Sequence, residues 1–253
     1  MIFRQFLHTT PIGASYLFGC GGQGQCVVVD PFVDPFEDIE PYVDASRETG
    51  MRIMHVMETH VHADHRSGGR ALAEASGARY LVHEAVEGRE DARLKDAQEV
   101  TVGNVTIRVL HTPGHTPEHV SLLVTDRTRG SEPWFILTGH TLMVGDMGRT
   151  ELATNAEVGA NALFETAARL RALPDHVEVW PGAFAGSICG RRLSGKAAST
   201  IGFERRFNRA FATEERNAFV QLMLADIPAR PENADHIRAE NLQAVREVVV
   251  VRH

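Results

Sequence analysis

The chain has 253 residues, enough to bury one sizeable α/β core or two small ones. Hydrophobic residues make up 43% and charged residues 23%, the balance of an ordinary globular domain rather than a disordered or fibrous chain. A formal net charge of −7 argues against a nucleic-acid binder, so an anionic ligand would need a local positive site such as a metal ion.

The opening residues carry no basic stretch followed by a long apolar run, and no segment reaches the ~18 apolar residues of a membrane span. A cytoplasmic protein that binds no membrane is expected. Short strands are predicted over 3–7, 14–18 and 25–30, the last (CVVVD) closed by Asp30-Pro31. Pro35 and Gly50 frame a helix over 36–49. A buried strand from Met51 then delivers the chain to His60. A helix over 67–76 ends at Gly77 and is followed by the strand ARYLVH. Gly103-Asn104 separates two alternating segments as a hairpin would. Strands follow near 119–125 and 133–138, then a helix over 156–172 with Leu163, Ala167 and Leu170 on one face, then the strand VEVW. After residue 198 the pattern is helical and charged, broken by Pro228 and Pro231. The division expected is a core over 1–198 and a helical C-terminal extension over 199–253 packed on it.

Histidines recur where predicted strands end. Thr59-His60-Val61-His62-Ala63-Asp64-His65 follows one buried strand, His111-Thr112-Pro113-Gly114-His115 a second, and Thr138-Gly139-His140 a third. A histidine-rich surface loop would explain the first of these alone. Three such transitions in one chain fit a metal site better, because imidazole lone pairs are costly to bury until a cation meets them.

The segments HVHADH, TPGHT, TGHTLMVGDMGRTEL and WPGAFAGS occur in the order and spacing of the metallo-β-lactamase superfamily, which the chain resembles. That resemblance implies an α/β fold of four layers, an αββα sandwich with the metal at one edge of its sheets. GDMGRTEL and STIGFERRFN are similar to the persulfide dioxygenase branch, beside the glyoxalase II thioesterases. Two positions depart from both branches. The third loop, usually Thr-Gly-Asp, carries His140, and the fourth, usually Pro-Gly-His, carries Ala183. An imidazole in place of a bridging carboxylate, and a methyl in place of a ligand, both disfavour a two-metal hydrolase.

Carried over by position, the dioxygenase branch implies one divalent metal on His60, His115 and His140, Fe(II) favoured with Zn(II) the alternative. His62, Asp64 and His65 are the alternative ligands. In the leading reading His62 and Asp64 assist catalysis beside the metal, orienting ligands or a water. Arg149 either holds a substrate carboxylate or ties down its own loop. The implied reaction joins O2 to glutathione persulfide or a similar low-molecular-weight thiol derivative. A homodimer and a rhodanese partner are compatible with it. The alternatives are a zinc thioesterase of glyoxalase II type acting on hydroxyacylglutathione, and a non-catalytic metal- or thiol-binding protein.

Several residues read more plainly. His55 reads as a hydrogen-bonded core residue, His111 and His119 as satisfied structural histidines, and Arg191, Arg192 and Lys196 as a solvated basic turn. The three cysteines, Cys20, Cys26 and Cys189, fit a reducing compartment and lack metal-ligand spacing, so Cys189 reads as a small buried residue.

Overall fold

The computed structural model describes residues 1–33, 38–86 and 93–246. β1 (Ile2–Thr9), β2 (Ile12–Cys20) and β3 (Gln25–Val29) form an antiparallel meander. α1 (Glu40–Thr49) then crosses to β4 (Arg52–Met57), and α2 (Gly69–Ser76) to β5 (Arg79–His83); with β6 (Arg93–Leu94) these strands extend the sheet in parallel. The second six-stranded sheet contains β7 (Glu99–Val102), β8 (Val105–His111), β9 (Val120–Asp126) and β10 (Phe135–Gly139). A small hairpin of β11 (Leu142–Met143) and β12 (Asp146–Met147) follows, then α3 (Ala156–Arg171). β13 (Glu178–Pro181) and β14 (Ser199–Thr200) complete the second sheet, in the order β14-β13-β10-β9-β8-β7. The chain ends in α4 (Ile201–Phe207), α5 (Arg216–Leu224) and α6 (Ala234–Arg246).

Strand alternation builds the layers. In β2, Ala14, Tyr16 and Phe18 enter the core between the sheets, while Leu17 turns to the cluster shared with α1 and α2. Val27 and Val29 of β3 likewise face inward, and Cys26 and Val28 outward. From the second sheet, Ile107, Leu122, Val124 and Leu137 meet them. Its opposite face, with Leu110, Leu123 and Ile136, packs on Leu163, Ala167 and Leu170 of α3 and on Phe219 of α5. Helix, sheet, sheet and helix make the αββα sandwich.

The helix and hairpin expectations hold to within a few residues. Gly50 and Gly77 cap α1 and α2 in left-handed conformation, and Gly103 turns the β7–β8 hairpin at φ 61°. Pro35, expected to start the first helix, lies outside the described residues. β1 and β2 run longer than expected, and the β11–β12 hairpin is too short for periodicity to show. Past residue 198 the chain contributes an edge strand, β14 against β13, as well as helices. Among the described residues, no helix is long and apolar enough to cross a membrane.

The ends of β3, β4, β10 and β13 and the start of β9 meet at one edge, where short bonds join them. Thr59 N–H donates to Asp30 Oδ1 at 2.7 Å, Val120 N–H to Thr59 O at 2.8 Å, and Gly182 N–H to Gly139 O at 2.7 Å. Gly139 is required there. Its φ is +49°, and a Cβ would sit 2.6 Å from both Thr59 Oγ1 and His119 Nε2.

Candidate metal centre

His60, His115 and His140 are all buried, and one ligand atom of each lies within 4.8 Å of the others. Their rings are positioned differently. Thr59 Oγ1 donates to Asp30 Oδ2 at 2.7 Å, so His60 Nδ1–H donates to Thr59 Oγ1 at 2.9 Å, leaving the Nε2 lone pair free. His115 Nδ1–H donates to Arg149 O at 2.7 Å and frees Nε2 in the same way. Such anchoring from behind is how proteins orient imidazole ligands. The His140 backbone N–H donates to His119 Nε2 at 3.2 Å, and its ring packs against His60 and His115. Neither of its ring nitrogens has a partner.

A second donor group lies beside the first. His62, Asp64 and His65 also bring one ligand atom each to within 4.8 Å. His62 Nε2 lies 3.3 Å from Asp30 Oδ1 and 3.2 Å from Glu58 Oε2, leaving Nδ1 unpartnered. His65 Nδ1–H donates to Asp64 Oδ1 at 3.1 Å, and its ring stacks on Phe32 at 3.4 Å.

Orphaned atoms test whether a cation fits. Nine buried side-chain polar atoms among the described residues lack a partner, and six of them belong to His60, His62, Asp64, His65 and His140. Each buried unsatisfied group costs about 1–3 kcal/mol. Most of that cost falls at one place, where a divalent cation would accept the lone pairs of the neutral rings and of Asp64. Protonation states agree. Burial, reinforced by the charges of neighbouring histidines, holds His60 well below its usual pKa, and burial drives His115 to about 3 and His65 to about 4. These rings are therefore neutral donors at pH 7. Burial alone would lower His62 too, but the Asp30 charge and the hydrogen bonds its ring donates to the Asp30 and Glu58 carboxylates outweigh it and raise its pKa well above normal. Burial likewise lifts Glu58 to about 7.

Arg149 is tied to the segments around it. Its guanidinium pairs with Glu151 and donates to Ile188 O at 3.0 Å and Pro228 O at 2.8 Å, with 3% of the residue exposed. His119 is satisfied by Thr112 Oγ1 and Thr141 Oγ1, and His111 Nε2–H donates to Pro117 O, as expected of structural histidines. Arg191 is not solvated; it pairs with Asp146 at 2.8 Å and donates to Leu222 O, whereas Arg192 and Lys196 are exposed. His55 Nδ1 makes no hydrogen bond, against the expectation of a satisfied core residue.

STIGFERRFN and GDMGRTEL, distant in sequence, meet in space. Glu204 Oε2 accepts from Gly145 N–H, and Asn208 Nδ2–H donates to Met143 O and Asp146 O, bracing the hairpin that follows His140. Sequence reasoning missed a brace behind the first loop. Arg238 on α6 donates to Val61 O at 2.6 Å and reaches Glu118 at 3.1 Å. Asn241 Nδ2–H donates to His62 O and His65 O, both at 2.9 Å. It also missed Asp30, Glu58 and Thr59 as anchors; the only cue was a carboxylate and a hydroxyl at strand ends.

An αββα sandwich with imidazoles converging from three strand-end loops defines an α/β protein with donor groups that fit a metal site. The metallo-beta-lactamase superfamily model matches residues 8–182, and the chain belongs to that superfamily. The hydroxyacylglutathione hydrolase of Polaromonas sp. is 33% identical over 173 residues, 66% of this chain and 60% of that protein, so the chain spans about three fifths of that relative's length. Mitochondrial persulfide dioxygenase ETHE1 of Bos taurus is 23% identical over 245 residues, covering 96% of this chain and 88% of its own. Among solved structures, ETHE1 from Myxococcus xanthus matches with a TM-score of 0.82 at 30% identity, covering 98% of this chain and all of that one, 100%. A metallo-beta-lactamase from Staphylococcus aureus matches with a TM-score of 0.87 at 33% identity, covering 95% of this chain and 72% of that one.

Proposed function

We propose that the chain is a mononuclear metal-dependent enzyme that joins O2 to a low-molecular-weight persulfide such as glutathione persulfide, with Fe(II) held by His60, His115 and His140. The observation that carries this reading is the donor set. Three neutral imidazoles converge, while position 183 on the fourth loop is a buried alanine that cannot ligate. The cation, when bound, supplies Lewis acidity and an electron source. The remaining work falls to the protein. Thr59 and the Arg149 carbonyl fix two of the rings, and three neutral ligands leave the divalent charge to attract a sulfur anion. His62 and Asp64, beside this face, orient what binds there. Likeness to persulfide dioxygenase ETHE1 through the C-terminal helices supports the choice, since the hydrolase match covers 66% of the chain.

The zinc thioesterase reading keeps one specific support, the second donor group of His62, Asp64 and His65. A single pair of assays separates the two. O2 uptake by Fe(II)-loaded protein given glutathione persulfide is expected, and is expected to vanish in His60→Ala. Metal-dependent cleavage of a glutathione thioester without O2 uptake would overturn the oxygenase reading and leave the fold intact.

A further inference from the structure

Cys189 differs from the other two cysteines. Cys20 and Cys26 lie within apolar core clusters, whereas Cys189, 1% exposed, belongs to none of those formed by the described residues. It sits instead against polar atoms. Its Sγ, an Asp64 oxygen and a His140 nitrogen all lie within 4.8 Å of one another. Asp64 Oδ1 is engaged by His65, and Oδ2, buried and without a partner, lies 3.9 Å from His140 Nε2. His140 itself is 1% exposed with both ring nitrogens unpartnered. Ligand atoms about 2.0–2.3 Å from one tetrahedral cation stand roughly 3.4–3.8 Å apart, so these atoms need only a small contraction.

We propose that Cys189 is a metal ligand: with Asp64 and His140 it forms a second coordination position, for a thiophilic divalent cation such as Zn(II) or Cd(II), that competes with the three-histidine position for His140. The inference rests on His140 being a ligand of the three-histidine group and is independent of which reaction that group runs. The loop supports it. Ala183 leaves the fourth strand-end loop without a donor, and Cys189 supplies one further along the same segment. The backbone there is fixed, with Arg149 N–H donating to Cys189 O at 3.2 Å and Cys189 N–H to Ser187 Oγ at 3.2 Å.

Charge separates the two positions. Three imidazoles leave a bound divalent cation uncompensated. A carboxylate and a thiolate cancel its charge, and the soft sulfur favours Zn(II) or Cd(II) over Fe(II). The thiol proton leaves to solvent as the metal–sulfur bond forms, with no change in oxidation state. A His140 ring nitrogen lies within ligand distance of both groups, 3.9 Å from Asp64 Oδ2, so it can serve either.

Titration of the metal-free full-length protein with Cd(II), followed by ultraviolet absorption, tests this. A thiolate-to-cadmium charge-transfer band is expected in the native protein and absent in both Cys189→Ala and Cys189→Ser. Cd(II) affinity should fall by at least the ~10–100-fold that losing even an outer partner costs. Both variants should still bind Fe(II) at the three histidines, which also shows that they fold. Zn(II) added to Fe(II)-loaded protein should displace iron more readily from the native chain than from either variant. A native protein that binds Cd(II) without the band, or a band that survives in the variants, overturns the proposal. A protein that shows the band yet consumes no O2 with persulfide supports this site and removes the oxygenase reading.

Discussion

His60 and His115 present their metal-facing nitrogens from rings already hydrogen-bonded at the other nitrogen, whereas the buried His140 ring packs on its neighbours with neither nitrogen so anchored. Three histidines of one candidate site are thus prepared to different degrees. An anchored imidazole has its tautomer and orientation set before a cation arrives, so little freedom is lost on binding. A ring without that anchor takes its tautomer and final orientation from the metal itself. The first pair should therefore decide whether a metal binds, and the third which metal and which partners.

The largest effects come from breaking the anchored pair. His60→Ala and His115→Ala should each abolish metal retention, measured by elemental analysis after dialysis. His140→Ala should keep a cation at reduced affinity. If His140→Ala empties the site as completely as His60→Ala, anchoring does not distinguish the three residues.

Thr59→Val addresses anchoring more finely. Valine keeps the shape of threonine but removes the hydroxyl that links the Asp30 carboxylate to His60 Nδ1–H. Metal affinity should fall by about 10–100-fold with the fold intact, measured by competition with a chromophoric chelator. Unchanged affinity would mean that the loop backbone, not the hydroxyl, orients the ring.

The same contrast explains what could be read from sequence. The candidate ligands were legible because each follows a buried apolar run, and strand ends are where α/β folds present side chains. The fold followed from alternation and glycine caps together with the motifs. Anchors were not legible. Asp30 and Thr59 are ordinary strand-end residues until β3 and β4 pair in parallel and bring their ends together. Arg149 acts on His115 through its carbonyl, which no residue type reveals. Cys189 failed the test of ligand spacing because its partners, Asp64 and His140, come from two other loops.

Asn241 extends the comparison to the back of the first loop. Its amide donates to His62 O and His65 O and accepts from Ser67 N–H, so the loop is tied to α6. Asn241→Ala leaves those groups unpaired, which costs about 1–3 kcal/mol. The melting temperature should drop, with a smaller loss of metal affinity than in Thr59→Val. An equal or larger loss of affinity would make α6 the main support of the site.

The smallest effect expected is that of mild acid on metal affinity, and it sharpens the distinction between a prepared site and a loose one. An unperturbed histidine with a pKa near 6.5 loses about threefold in its neutral fraction between pH 7 and 6, so two would weaken binding roughly tenfold. Here burial holds His115 at about 3 and His60 well below its usual value, so both already carry free lone pairs across that window. With the pKa of His140 lowered as well, metal affinity should fall by much less than tenfold between pH 7 and 6. The metal-free protein should behave otherwise in the same range. His60, His65 and His115 stay neutral in the native state while the same residues of the unfolded chain take up protons below about 6.5, so at these positions the unfolded state binds more protons. Stability is therefore full above pH 6.5 and lost progressively as pH falls toward 4, read as a declining melting temperature. A steep loss of metal affinity between pH 7 and 6 would show that the anchored rings titrate normally, and that the His60–His115 pair is no better prepared than His140.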